Sequence, residues 1–180
     1  MIKLEDILNF WFREINPRCW WEKDQKFDDL VKSRFGEIHN KAVQCELFEW
    51  RGSPQGRLAE IIVLDQFSRN IFRNHARAFS ADPVALALAQ EAVRLGVDKE
   101  LTGVEKSFLY MPYMHSESGA IHEVAVKLFS QSGLENNFKF ELKHKKIIDK
   151  FGRYPHRNAL LGRVSTEAEI EFLKTPGSSF

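Results

Sequence analysis

The stretch Leu64-Asp-Gln-Phe-Ser-Arg-Asn-Ile-Phe-Arg73 decides how this chain is read, because it lays a polar stripe along a helix that otherwise looks buried. From Leu58 to Leu64 the chain is apolar nearly all round, the pattern of a helix packed on several sides. At about 100° per residue, Asp65, Gln66, Arg69, Asn70 and Arg73 fall within an arc of roughly 140°, while Phe67 and Ile71 take the other side. A carboxylate, two amides and two guanidiniums on one face of such a helix must reach solvent, pair internally or line a cavity, since unpaired buried charge is very costly. The i, i+4 spacing of Asp65, Arg69 and Arg73 also fits plain helix-stabilising ion pairs.

Two further segments repeat the chemistry. In Phe108-Leu-Tyr-Met-Pro-Tyr-Met-His-Ser-Glu117, Pro112 removes a backbone donor, so a break or kink is expected near Met111, followed by His115 and Glu117, the composition of an acid/base pair, which two residues apart converge only where the chain is irregular or else engage different partners. A hydrogen-bonded core histidine beside Tyr110 or Tyr113 is the plainer account of His115. In Phe151-Gly-Arg-Tyr-Pro-His-Arg-Asn158, Gly152 is placed as the left-handed cap of a helix from about Glu135, and Pro155 prevents its resumption. In that helix Phe140, His144, Ile147, Ile148 and Phe151 share the inward face, so His144 should be buried with a partner. The loop beyond carries Arg153, His156, Arg157 and Asn158 and no carboxylate. Donors this dense suit an oxyanion, or they tie the loop to helix ends and carbonyls.

These segments, with Ala76-Arg-Ala-Phe79, Asp82-Pro83 and Leu161-Gly-Arg163, resemble the signature of the Domain of Unknown Function family 924, in order from about Phe10 to Leu173. The resemblance implies an all-α fold, an α–α superhelix similar to tetratricopeptide-repeat proteins, and motifs that point to one shared polar pocket. It implies no reaction. Ser68 departs from the proline that members of the family usually carry there.

Composition agrees with a single helical domain over residues 1–180: 43% of the chain is hydrophobic, enough for one core. A net charge of +1 gives no overall drive towards nucleic acid or an anionic membrane, although Lys143, Lys145, Lys146, Lys150, Arg153, Arg157 and Arg163 make the late region locally basic. Only two cysteines, Cys19 and Cys45, and no run approaching the roughly 20 apolar residues of a membrane span, point to a reduced cytoplasmic setting. About eight helices are expected. Asp82 reads as an N-cap before Pro83, Thr102 with Glu105 and Thr166 with Glu169 as capping boxes, and Gly96, Gly133 and Gly152 as helix stops; the tail from Thr175 should be mobile.

The sequence therefore leads to a pocket for a small anionic ligand, carboxylate or phosphate. The catalytic candidates are His115, Glu117 and His156, and the ligand-binding candidates are Asp65, Gln66, Arg69, Asn70, Arg73, Tyr110, His144, Arg153, Arg157 and Asn158. Asp65, held ionised by Arg69, is expected to organise the site and not to act as its base. With Asp65 and Glu117 set against four arginines, the ligand-free site is expected to carry unsatisfied positive charge. No cofactor is expected, and no metal, because His115, Glu117, His122, Glu123, His144 and His156 lack a paired ligand spacing. A scaffold binding an acidic peptide or a C-terminal carboxylate is the alternative.

Overall fold

The computed structural model describes residues 2–179, and among them every regular element is helical. The helices are α1 (Leu4–Asn9), α2 (Gln25–Val43), α3 (Pro54–Ile62), α4 (Ser68–Ile71), α5 (Asp82–Arg94), α6 (Gly103–Met114), α7 (Gly119–Phe129), α8 (Glu135–Phe151) and α9 (Glu167–Leu173), with short 3-10 turns between several of them. Local chemistry sets many of their ends. Asp24 and Ser53 accept backbone N–H groups at the starts of α2 and α3, and Thr102 and Thr166 form the expected capping boxes with Glu105 and Glu169. Gly152 closes α8 in the left-handed region at φ +68°.

Three local expectations are corrected. Helix α6 runs through Pro112 to Met114 without a break; the residues from Ser107 to Met114 are all buried, so packing on all sides offsets the one lost backbone bond. Phe140 lies half exposed at 51%, near the start of α8, and Glu141 is buried in its place. The tail folds back: Ser178 is buried, and its hydroxyl donates to the Leu173 carbonyl.

Helices α3 and α6 are central. Helix α3 packs on α1, α5 and α6, and from α5 to α8 each helix packs on the next. Ala85, Ala89 and Ala92 line the buried face of α5 and let it approach closely. The main apolar core joins Ile7, Phe10, Trp11, Phe35, Phe67 and Phe108 with the interior of α3 and α6. A second, smaller cluster gathers Ile147, Ile148 and Tyr154, with Phe151 and Phe172 packed on it.

Between α3 and α4, residues Val63–Phe67 form a π-turn. Its extra residue per turn rotates the residues beyond it, so the polar stripe does not stay on one face. Ser68 marks the splice: its hydroxyl donates to Leu64 O at 2.5 Å and accepts the His39 Nε2–H at 2.7 Å, tying the turn to α2. Helix α3 also depends on Gly56, where a Cβ would stand 1.9 Å from the Trp50 carbonyl oxygen. Gly56→Ala must displace that backbone, and urea denaturation is expected to show a loss of about 3 kcal/mol; an unchanged midpoint would contradict the packing of Trp50 on α3.

Candidate functional site

The π-turn divides the stripe between two ion-pair centres. Asn70 and Arg73 turn to α2, where the amide donates to Asp28 Oδ1 at 2.8 Å and the guanidinium makes two bonds to the same buried carboxylate, one of 2.7 Å from Nη2. Asp65, Gln66 and Arg69 turn the other way. Asp65 is buried; its Oδ1 stands 2.8 Å from His115 Nδ1 and 3.3 Å from Arg69 Nη1, and its Oδ2 accepts the Gln66 amide at 2.6 Å. Arg69 reaches on to form a forked pair with Asp82 at 3.0 and 3.2 Å. Asp82 is thus the first residue of α5 with its carboxylate aimed at arginine, and the cap position falls to Ala81.

Arg157 completes this centre. It donates to Asp82 Oδ2 at 3.4 Å and to the His115 carbonyl at 3.0 Å, and its guanidinium lies over the rings of Phe79 and Tyr154 at 4.5 and 4.6 Å. Its Nε is buried and has no hydrogen-bond partner among the described residues. The segment carrying these residues is pinned from both sides. Glu117 accepts the Tyr154 backbone N–H at 2.7 Å and a forked pair from Arg163 at 2.6 and 2.9 Å, and the Tyr154 hydroxyl donates to Met114 O at 2.6 Å.

Beneath the segment lies a buried pair. His122 Nε2 faces the Ser116 carbonyl at 2.9 Å, which can only accept, so this nitrogen carries a proton. His122 Nδ1 then meets Glu141 Oε1 at 2.6 Å, with one proton held between them, and burial pushes the Glu141 carboxyl above its ordinary range.

The remaining candidates are placed elsewhere. Arg153 forks onto Glu169 of α9, drawing that carboxyl down to about 2, and also donates to Val164 O. Asn158 holds its own loop through Ser165 and Arg163. Tyr110 is buried in the main core and donates to Asp98. His144 is buried as expected, with Nδ1 2.8 Å from Phe140 O and its ring against Tyr154. His156 packs on Tyr154 and bonds to the Ser178 backbone, within the field of Arg157 and Glu117. Of the expected cluster, the structure therefore brings together Asp65, Gln66, Arg69, His115 and Arg157; Arg73, Arg153 and Tyr110 belong to separate contacts. Two surface clefts also lie apart from the centre, one of ≈ 450 Å³ beside Arg153 and Glu169 and one of ≈ 730 Å³ beside Leu4 and Glu105.

Sequence reading missed the carboxylates that come from elsewhere in the chain. Asp28, Asp82 and Glu169 neutralise Arg73, Arg69 and Arg153, and Arg163 takes up Glu117. The expected excess of four arginines over two carboxylates is absent. What remains is one under-compensated cation. Burial and the nearby Arg69 charge hold the Arg157 guanidinium below its ordinary range, whereas Arg69, Arg73 and Arg153 are held above theirs.

The protonation pattern is asymmetric in a useful way. Burial pushes the Asp65 carboxyl up, but Arg69, His115 and Gln66 outweigh it and hold it well below the carboxylate range. An ionised carboxylate only accepts, so His115 must present Nδ1–H to it. Burial and then Arg69 push the His115 imidazole below its usual range, leaving it neutral with Nε2 as the open lone pair. That nitrogen bonds to no described residue, and the side chain keeps 15% of its surface exposed.

With the fold and this centre in view, the chain is an all-helical protein built around a buried carboxylate–histidine pair flanked by two arginines. It belongs to the bacterial protein family of unknown function DUF924, whose sequence profile matches residues 7–177. It is similar to a solved structure, the protein of unknown function ATU0120 from Agrobacterium tumefaciens. The two share 34% identity over 95% of this chain and 96% of that one, with a TM-score of 0.86. No curated protein matches the chain. Among the described residues, no group of histidine, cysteine and carboxylate side chains is arranged to hold a metal, and no helix is long and apolar enough to cross a membrane.

The buried histidines make acid the weak point of the fold. Burial holds His39 and His156 at about 4 and His144 at about 3, and lowers His115 as well. The unfolded chain takes up these protons near 6.5 and the folded one refuses them, so their contribution is complete above about 6.5 and is lost as pH falls towards 4. Glu141 works in the opposite direction. Denaturation measured from pH 7 to 4.5 is expected to show a net uptake of about three protons on unfolding near pH 5; stability that stays flat between pH 7 and 5 would contradict the burial assigned to these rings.

Proposed function

We propose that the Asp65–His115–Arg157 centre binds a small anionic molecule, a carboxylate or phosphate, and that His115 exchanges a proton with it. One observation supports the reading: the His115 imidazole, fixed through Nδ1 by the buried Asp65 carboxylate, leaves Nε2 without a partner among the described residues, while Arg69 meets that carboxylate and Arg157 the His115 carbonyl. A general base needs a lone pair and a fixed orientation, and Asp65 supplies the orientation without competing for the proton.

Arg157 is the anion-receptive group in this reading. Asp82 is shared with Arg69 and lies nearer to it, so Arg157 is the arginine whose charge a bound oxyanion would relieve most. The guanidinium also lies over the rings of Phe79 and Tyr154, which restrict the approach of an acceptor to it. The same geometry fits substrate binding by an enzyme of acid/base type better than a long peptide groove, because the open donors gather at one point. A cytoplasmic setting agrees with the two free thiols, Cys19 and Cys45.

Thermal-shift measurements at constant ionic strength test it. Phosphate and succinate are expected to stabilise the native protein, by about 2.7 kcal/mol at a hundred times the dissociation constant, whereas a neutral diol or diamide is not. Arg157→Gln should remove the anion response. Equal shifts from neutral analogues, or an anion shift that survives Arg157→Gln, would set the reading aside.

A further inference from the structure

Helix α8 carries a second feature that the central site does not use. At about 100° per residue, Lys139, Lys143, Lys146 and Lys150 fall within roughly 60° of one another, a stripe about 17 Å long at 1.5 Å per residue. All four are exposed, and no ion pair joins any of them to a carboxylate among the described residues. The contrast with Lys145 is instructive. That lysine, on another side of the same helix, pairs with both Glu123 and Asp149. Glu135, four residues before Lys139, accepts the Gly133 N–H and lies within the field of Lys139 without forming an ion pair with it.

Like charges at i, i+3 and i, i+4 destabilise a helix, so the stripe costs the isolated protein stability. Its border is aromatic: Lys143 lies over Phe140 at 5.1 Å and Lys150 over Phe151 at 4.9 Å, with Phe140 half exposed. At Lys150 the stripe runs into the ≈ 450 Å³ cleft between α8 and α9, lined by Phe151, Arg153, Thr166, Ala168 and Glu169. Arg153 and Glu169 already bind each other there, and Ile170 and Leu173 on α9 remain partly exposed.

We infer that the α8 lysine stripe, with the α8–α9 cleft at its end, is a docking surface for an acidic amphipathic segment of a partner protein. Carboxylates at helical spacing meet the four lysines, and one apolar side chain enters the cleft against Phe151. The chemistry selects this occupant over other polyanions. Nucleic-acid binders carry a broad positive field and forked arginine contacts, whereas this chain has a net charge of +1 and its stripe is lysine only. An anionic membrane would need its apolar anchors on one side of the helix. The exposed Phe140 and Leu142 instead point about 160° apart, with the lysines between them.

The test uses the full chain and a fluorescent peptide of about twelve residues with glutamate at i, i+4, i+7 and i+11 and a leucine near its end, matching the period of the stripe. Anisotropy is expected to show binding that weakens with salt, falls at least tenfold in Lys143→Glu with Lys146→Glu, and falls by a smaller factor in Lys143→Gln with Lys146→Gln. Both variants should melt no lower than the parent, since each relieves repulsion within the stripe. Absence of peptide binding, or binding unchanged by charge reversal, overturns the proposal. Tighter binding of a single-stranded oligonucleotide or of phosphatidylserine vesicles overturns it as well, in favour of that polyanion. Because Lys143 and Lys146 lie outside the Asp65–His115–Arg157 centre, the phosphate response of the native protein should persist in both variants.

Discussion

One buried guanidinium ties the small cluster around Tyr154 to the main core. Arg157 lies over the rings of Phe79 and Tyr154 and bonds to Asp82 and to the His115 carbonyl. A buried cation of this kind is tolerated only where acceptors and aromatic faces replace the water it has lost. Phe79, Asp82, the segment after α6 and the loop after α8 must all be in place before it can be accommodated. The positions of His115 and Glu117 depend on the same joint, because the chain between them is held by Arg157, Arg163, Tyr154 and His122.

Charge compensation is local and nearly complete. Each arginine of the motifs has a carboxylate, and most of those carboxylates come from distant parts of the chain: Asp28 from α2, Asp82 from α5 and Glu169 from α9. Most of the polar groups in the three motifs therefore serve to lock helices together. The exception is narrow. Arg157 shares its acceptor with Arg69, and His115 leaves Nε2 without a partner among the described residues.

Much of the fold was legible because it rests on local signals. Apolar periodicity, capping residues and stop glycines placed the helices, and the capping boxes at Thr102 and Thr166 formed as expected. The π-turn at Val63–Phe67 was not legible, since a change of helical register leaves no mark in a pattern read at a constant angle per residue. That turn sends Asn70 and Arg73 to Asp28 while Asp65 and Arg69 meet His115 and Asp82. The pairing of Asp65 with Arg69 was readable from their spacing, and a shared pocket with His115 was expected, but the direct bond from Asp65 to His115, 50 residues on, was not. Asp82 was mistaken for a cap because sequence shows the type of residue that begins a helix and not the arginines that wait beside it.

The central claim is that Asp65 fixes His115 as a neutral imidazole with its proton on Nδ1 and its lone pair on Nε2. Nitrogen-15 NMR of the histidine side chains, assigned with His115→Gln and followed from pH 8 to 5.5, reads this directly. The account predicts an Nδ1–H tautomer for His115 that persists below the ordinary imidazole range of about 6.5. A proton on Nε2 at neutral pH, or an imidazolium already formed at pH 7, would contradict it.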